Sequence, residues 1–177
     1  MNKVVNLIAA MGKCIPELDV APLYANHPDN AEQLTILDWI YNHLKEQGLI
    51  EYAEWAEYNG YIPGLKPLVK ISLSEEPSNF IFSLIEKIDW SIANIDPFEL
   101  PYVMPWLEHI NHYLKPHNLR LVDLLPFENP YFICIKDDAV LLQELCSALE
   151  VYDIDINSRS AMDQRQVSEC VELIISE

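Results

Sequence analysis

The sequence predicts an α+β fold: a helical N-terminal third, then a small, mainly antiparallel sheet with helices packed on one face. Two observations predict it. Up to residue 64 the apolar residues recur at helical spacing, whereas residues 119–156 read as strand, strand, helix, strand. The link between the first two of those strands, Pro126–Pro130, is too short for a parallel crossover, so they must run antiparallel. Half of the 177 residues are hydrophobic and a tenth are aromatic, enough to bury a core without disulfide or metal staples. One domain over 1–177 is expected, with a helical part at 1–64, an α+β part at 65–156, and a polar link and closing helix at 157–177.

Residues 2–14 place Val4, Val5, Ile8 and Met11 on one side of a first helix. Pro16 and Pro22 bracket an irregular link. A helix over 31–47 follows, with Asn30 as its cap, Gln33 at the capping-box position and Gly48 as the left-handed residue that closes it. Its core stripe is read as Leu34, Leu37, Ile40, Tyr41 and Leu44. A further helical piece spans about 50–58 and stops at Asn59-Gly60. Alternation over Leu65–Leu73 reads as an edge strand, open to pairing with a second copy; the oligomeric state is otherwise left undetermined.

Ser78 is placed to cap a helix running through Phe80, Ile81, Leu84, Ile85 and Ile88. Asp96–Pro105 is a proline-broken linker, and Pro105 starts a helix that ends near Lys115. Leu119–Leu125 and Tyr131–Lys136 are the two strands. Asp137 or Asp138 then caps a helix with Ala139, Leu142, Leu145, Cys146 and Leu149 inward. Tyr152, Ile154 and Ile156 alternate with Asp153 and Asp155 as a half-exposed strand, and a last helix covers 163–176.

The composition narrows function by exclusion. With 11 Lys and Arg against 28 Asp and Glu, the net charge is −17, and the three arginines are scattered. Such a chain repels phosphate backbones and anionic membranes, so neither nucleic acid nor membrane is an expected partner. A basic protein is the expected partner, because an acidic surface steers it in. Four glycines, none after residue 64, remove the glycine-rich cradles that close on phosphate. Cys14, Cys134, Cys146 and Cys170 form no Cys-x-x-Cys pair and read as reduced thiols, the last but two in apolar runs with Cys146. The apolar stretch Val4–Met11 after Lys3 is short and contains Asn6, so the chain is expected to be cytoplasmic.

Catalytic signatures are missing: no serine sits between glycines as a nucleophile elbow, and enzymatic activity is not expected. No cofactor is expected either. The most distinctive local run is Glu51-Tyr52-Ala53-Glu54-Trp55-Ala56-Glu57-Tyr58. On a helix it sets Glu51, Glu54 and Glu57 in one stripe beside Tyr52, Trp55 and Tyr58 in the next. Rings that bury area next to carboxylates that meet Lys or Arg are what a basic protein surface docks against. The leading expectation is therefore a non-enzymatic protein that binds another protein, concretely an immunity- or antitoxin-like inhibitor of a basic partner. The alternative is a metal-binding module or metal-dependent enzyme using Glu108, His109 and His112, which helical spacing could bring together. Zinc helices place two histidines four apart, however, and these are three apart. Asp153 and Asp155, on one strand face, are read as a solvated outer edge. A third class is a small-ligand sensor with an aromatic pocket.

From Leu107 to Ile156 the helix ending Leu114-Lys115-Pro116-His117-Asn118-Leu119-Arg120-Leu121, the strand Asn129-Pro130-Tyr131-Phe132-Ile133-Cys134-Ile135 and the later Asp153-containing strand together resemble a family of small bacterial proteins of unknown function. The resemblance spans under a third of the chain. It implies a fold and no activity or site.

Overall fold

A computed structural model describes residues 3–52, 61–125 and 131–176. The α+β class, the helical N-terminal third and the antiparallel C-terminal sheet are all present. Three helices open the chain: α1 (Lys3–Cys14), α2 (Ala21–Ala25) and α3 (Gln33–Glu46). They lead into a short strand, β1 (Ile50–Tyr52). Helices α4 (Pro77–Glu86), α5 (Leu100–Val103) and α6 (Trp106–Leu114) follow, and a single 3₁₀ turn at Lys115–His117 ends α6. The chain closes through β2 (Leu119–Leu125), β3 (Tyr131–Lys136), α7 (Ala139–Glu150), β4 (Asp155–Asn157) and α8 (Gln164–Ser176).

The sheet order is β1-β3-β2-β4, antiparallel throughout. Leu121 faces Cys134 and Val122 faces Ile133 across the central pair. Successive residues of a strand point to opposite faces. Here both faces are apolar: Val122, Leu124, Ile133 and Ile135 join a core with α1, α3 and α7. Leu121, Phe132 and Cys134 join a second core with α4, α5, α6 and α8. Helices thus cover both sheet faces rather than the single face expected from the β-β-α-β run. The N-terminal helices and α7 take one face, and the helices of the middle region and α8 take the other.

Several element ends follow their local chemistry. Asp138 accepts hydrogen bonds from Val140 N (2.9 Å) and Leu141 N (3.0 Å), so the α7 cap is as read. Gly48, at φ 70°, closes α3 with Gly48 N to Lys45 O (3.0 Å) and Leu49 N to Leu44 O (2.9 Å). The other end of α3 differs from expectation: the helix starts at Gln33, and Asn30 instead folds the preceding turn by accepting from Glu32 N. The buried face of α3 is also rotated. Leu34 is 64% exposed, while Ile36 and Trp39 turn inward, Trp39 anchored by an indole hydrogen bond to Asn26 O. Pro77 takes the first position of α4, and Ser78 is buried inside it rather than capping it.

Two strand expectations change. Residues 65–73 form turns and irregular chain, not an edge strand. Leu65 and Leu68 are buried in the second core, and Lys66 N donates to Gly48 O, which lays this segment beside the entry to β1. The expected dimerising edge is therefore absent at 65–73. The helix expected over 50–58 begins as strand β1, because Ile50–Tyr52 pair with Ile133–Tyr131; residues 53–60 lie outside the described residues.

Candidate functional site

Three tyrosines meet at the end of the β1–β3 pair. Tyr52 sits directly opposite Tyr131 in the register, and their ring centroids are 4.9 Å apart. Tyr131 in turn meets Tyr41 of α3 edge-on at 5.6 Å, and the Lys45 ammonium lies 5.1 Å from the centre of the Tyr41 ring. Helical spacing puts Leu34, Asp38, Tyr41 and Lys45 along one row of α3. Tyr52 is 43% exposed, Tyr41 and Tyr131 are half-buried, and Asp38 is exposed. Partial burial first, then the neighbouring Tyr52, Asp38 and Tyr41, raise the Tyr131 phenol above its ordinary range, so it is a neutral donor at physiological pH. Chemically this is a ring-lined ledge with the Asp38 carboxylate at hand, able to bury area and hydrogen bond.

Of the residues expected to bind a partner, Glu51 and Tyr52 belong to β1. As strand neighbours they project to opposite faces, not to adjacent helical stripes. Glu51 accepts a hydrogen bond from Gly64 N at 3.0 Å. Glu54, Trp55, Glu57 and Tyr58 lie outside the described residues.

The metal set is divided by the structure. All three residues are on α6, but Glu108 is bound by Arg159 at 3.2 Å, His109 is fully buried, and His112 is exposed. The His109 ring packs 4.8 Å from Phe80 and 5.2 Å from Tyr113. Among the described residues no three His, Cys, Asp or Glu side chains converge as a metal site. Glu108 Oε2 has no hydrogen-bond partner there, and the His109 ring nitrogens meet only backbone at Met162 and Pro77. Burial pushes the His109 imidazole down to about 4, the charge of His112 adding to it and backbone at Met162 and Pro77 opposing it. The Asp153–Asp155 pair also separates: Asp155 opens β4, but Asp153 is in a left-handed turn at φ 58°.

Sequence reading missed a buried polar network. Arg159, from the polar link after β4, donates from Nε to Asp123 Oδ1 (2.7 Å) and from Nη1 to Glu108 Oε1 (3.2 Å). Burial works against its charge, but the hydrogen bond and charge of Asp123, with Glu108, more than offset that and raise its pKa. Asp123 is 3% exposed. Asn111 donates to Arg159 O at 2.8 Å, and Arg120 joins Asp137 at 2.6 Å while reaching Ser158 O. The available signal was Asp123 itself, a carboxylate inside an otherwise apolar strand, which must be paired if buried. This network fixes the link around Arg159, its members holding one another except at Glu108 Oε2.

Thiol chemistry is equally muted. Burial raises Cys14 to about 11 and Cys134 to about 12, with Cys146 and Cys170 also raised by burial. No helix of the described residues is long and apolar enough to cross a membrane. No protein-family model, curated protein or solved structure matches the chain, and no function is carried over to it from another protein.

Proposed function

We propose that the chain acts in the cytoplasm by binding a basic protein, without catalysis of its own, in the manner of an immunity- or antitoxin-like inhibitor that masks a cationic surface. The observation that carries this reading is the Tyr52–Tyr131–Tyr41 ledge, part-exposed, with Asp38 beside it, on a chain of net charge −17. Tyrosine is well suited to such contacts: it buries a large ring at low entropic cost and keeps a hydroxyl for hydrogen bonding. The carboxylates contribute long-range attraction and partner choice more than affinity.

The test is a pull-down with the full chain at low salt and at about 0.5 M, where charge pairing is mostly screened. The wild type should retain a basic protein at low salt and release it at high salt. Asp38→Lys and Tyr52→Ser should each reduce capture, with circular dichroism showing that both variants are folded. Unaltered capture by both variants rejects this surface, and an empty bait at both salts rejects the function.

A further inference from the structure

The segment 92–103 carries apolar side chains on the outside as well as the inside. Inward, Leu100 and Met104 are 1% and 3% exposed and belong to the second core. Outward, Ile92 is 76% exposed, Phe98 86%, Tyr102 50% and Val103 51%. Backbone bonds from Leu100 N to Asp96 O and from Tyr102 N to Glu99 O continue the turns of α5 back to Asp96. At that spacing Phe98 lies one turn from Tyr102, and Glu99 one turn from Val103. A large ring left 86% in water, one turn from a half-exposed tyrosine, is a poor use of a phenylalanine unless something covers it.

Charge decides what fits there. Between residues 86 and 103 stand Glu86, Asp89, Asp96 and Glu99 against the single base Lys87. A second copy of the chain would bring the same carboxylates, and a net charge of −17, against this face. An anionic membrane would be repelled in the same way. We infer that the Phe98–Tyr102 face docks a basic protein segment with an apolar side, such as an amphipathic helix edged with Lys or Arg. Phe98 and the Tyr102 ring supply the apolar contact, and Asp96 and Glu99 the complementary charge. The inference rests on the reading of an acidic partner-binding protein, yet uses residues of the second helical layer and not the tyrosine ledge of the first.

The experiment uses the full chain and two synthetic amphipathic peptides, one of leucine and lysine, the other of leucine and glutamate, with affinity read by fluorescence anisotropy. The cationic peptide should bind, and Phe98→Ser/Tyr102→Ser, which changes no charge, should weaken it about tenfold. A melting temperature equal to wild type shows that the variant is folded. Equal binding by wild type and variant overturns the inference, since charge alone would then explain it. So does absence of binding, equal binding of the anionic peptide, or a wild-type dimer that Phe98→Ser dissolves. Tyr52→Ser, which changes no charge, should leave peptide affinity at the Phe98 face within about twofold. Failure at one surface is thereby separated from failure at the other.

Discussion

Asn111 of α6 grips the backbone of Leu121 in β2 from both sides: its amide oxygen accepts from Leu121 N at 2.7 Å, and its amide nitrogen donates to Leu121 O at 2.8 Å. The side chain stands where another strand would. β4 pairs with β2 only at Asp123–Leu125, so without Asn111 the Leu121 amide and carbonyl would be buried and bare.

Replacing Asn111 by Ala should therefore cost about 2–4 kcal/mol, since it strands the two Leu121 groups and also the Arg159 carbonyl. Asn111→Asp keeps the acceptor but not the donors and should recover only part of that. Urea denaturation followed by circular dichroism gives the comparison.

Arg159 neutralises two carboxylates that water scarcely reaches. Arg159→Met leaves Asp123 and Glu108 facing each other and should destabilise by about 3–5 kcal/mol. Arg159→Lys should restore little, because one ammonium cannot span both acceptors. The triple change Arg159→Met/Asp123→Leu/Glu108→Leu should be far less damaging than Arg159→Met alone, and an additive result would refute the account.

His109 makes stability fall with acid. Its folded pKa is about 4 against an ordinary 6.5, so between those values the unfolded chain binds the extra proton and stability drops as pH falls. Fully expressed, the effect is about 3 kcal/mol. His109→Leu removes it: the slope of unfolding free energy over pH 4 to 6.5 should flatten.

Thiol labelling should report burial. Treated with iodoacetamide near pH 8, the native protein should react at Cys146 and Cys170, which are half-buried, well before Cys14 and Cys134. Peptide mapping by mass spectrometry orders the four sites, and denaturant should abolish the difference.

Gly12 lies inside α1, where alanine is normally the better helix former by about 1 kcal/mol. Here an alanine Cβ would come within 2.7 Å of Val20 Cγ1. Gly12→Ala should thus destabilise by about 1 kcal/mol, and Val20→Ala in the same chain should reverse the sign of the Gly12 effect.

Elements with their own local signals were legible in the sequence. The strands Leu119–Leu125 and Tyr131–Lys136 carry dense β-branched and apolar residues, and their bounds agree with the structure. Asp138 and Gly48 end their helices through bonds to residues three or fewer positions away, or within one turn. The strand β1 carried no such signal, because three residues are held by pairing with Tyr131–Ile133, about eighty positions on. The same dependence on distant partners explains why Leu34 was read inward and Trp39 not: the facing surface, not the period, sets the rotation of α3.

For the candidate surfaces the division is similar. Charge, the lack of catalytic motifs and the residue types that can meet a basic partner were determined by the sequence alone, since they are sums over the chain. Which rings meet, as Tyr52 does with Tyr131 and Tyr41, and which histidine is buried, as His109 is beside an exposed His112, were decided only by tertiary structure. Those outcomes depend on contacts between residues far apart in the chain, whose free energy exists only once the sheet has brought them together.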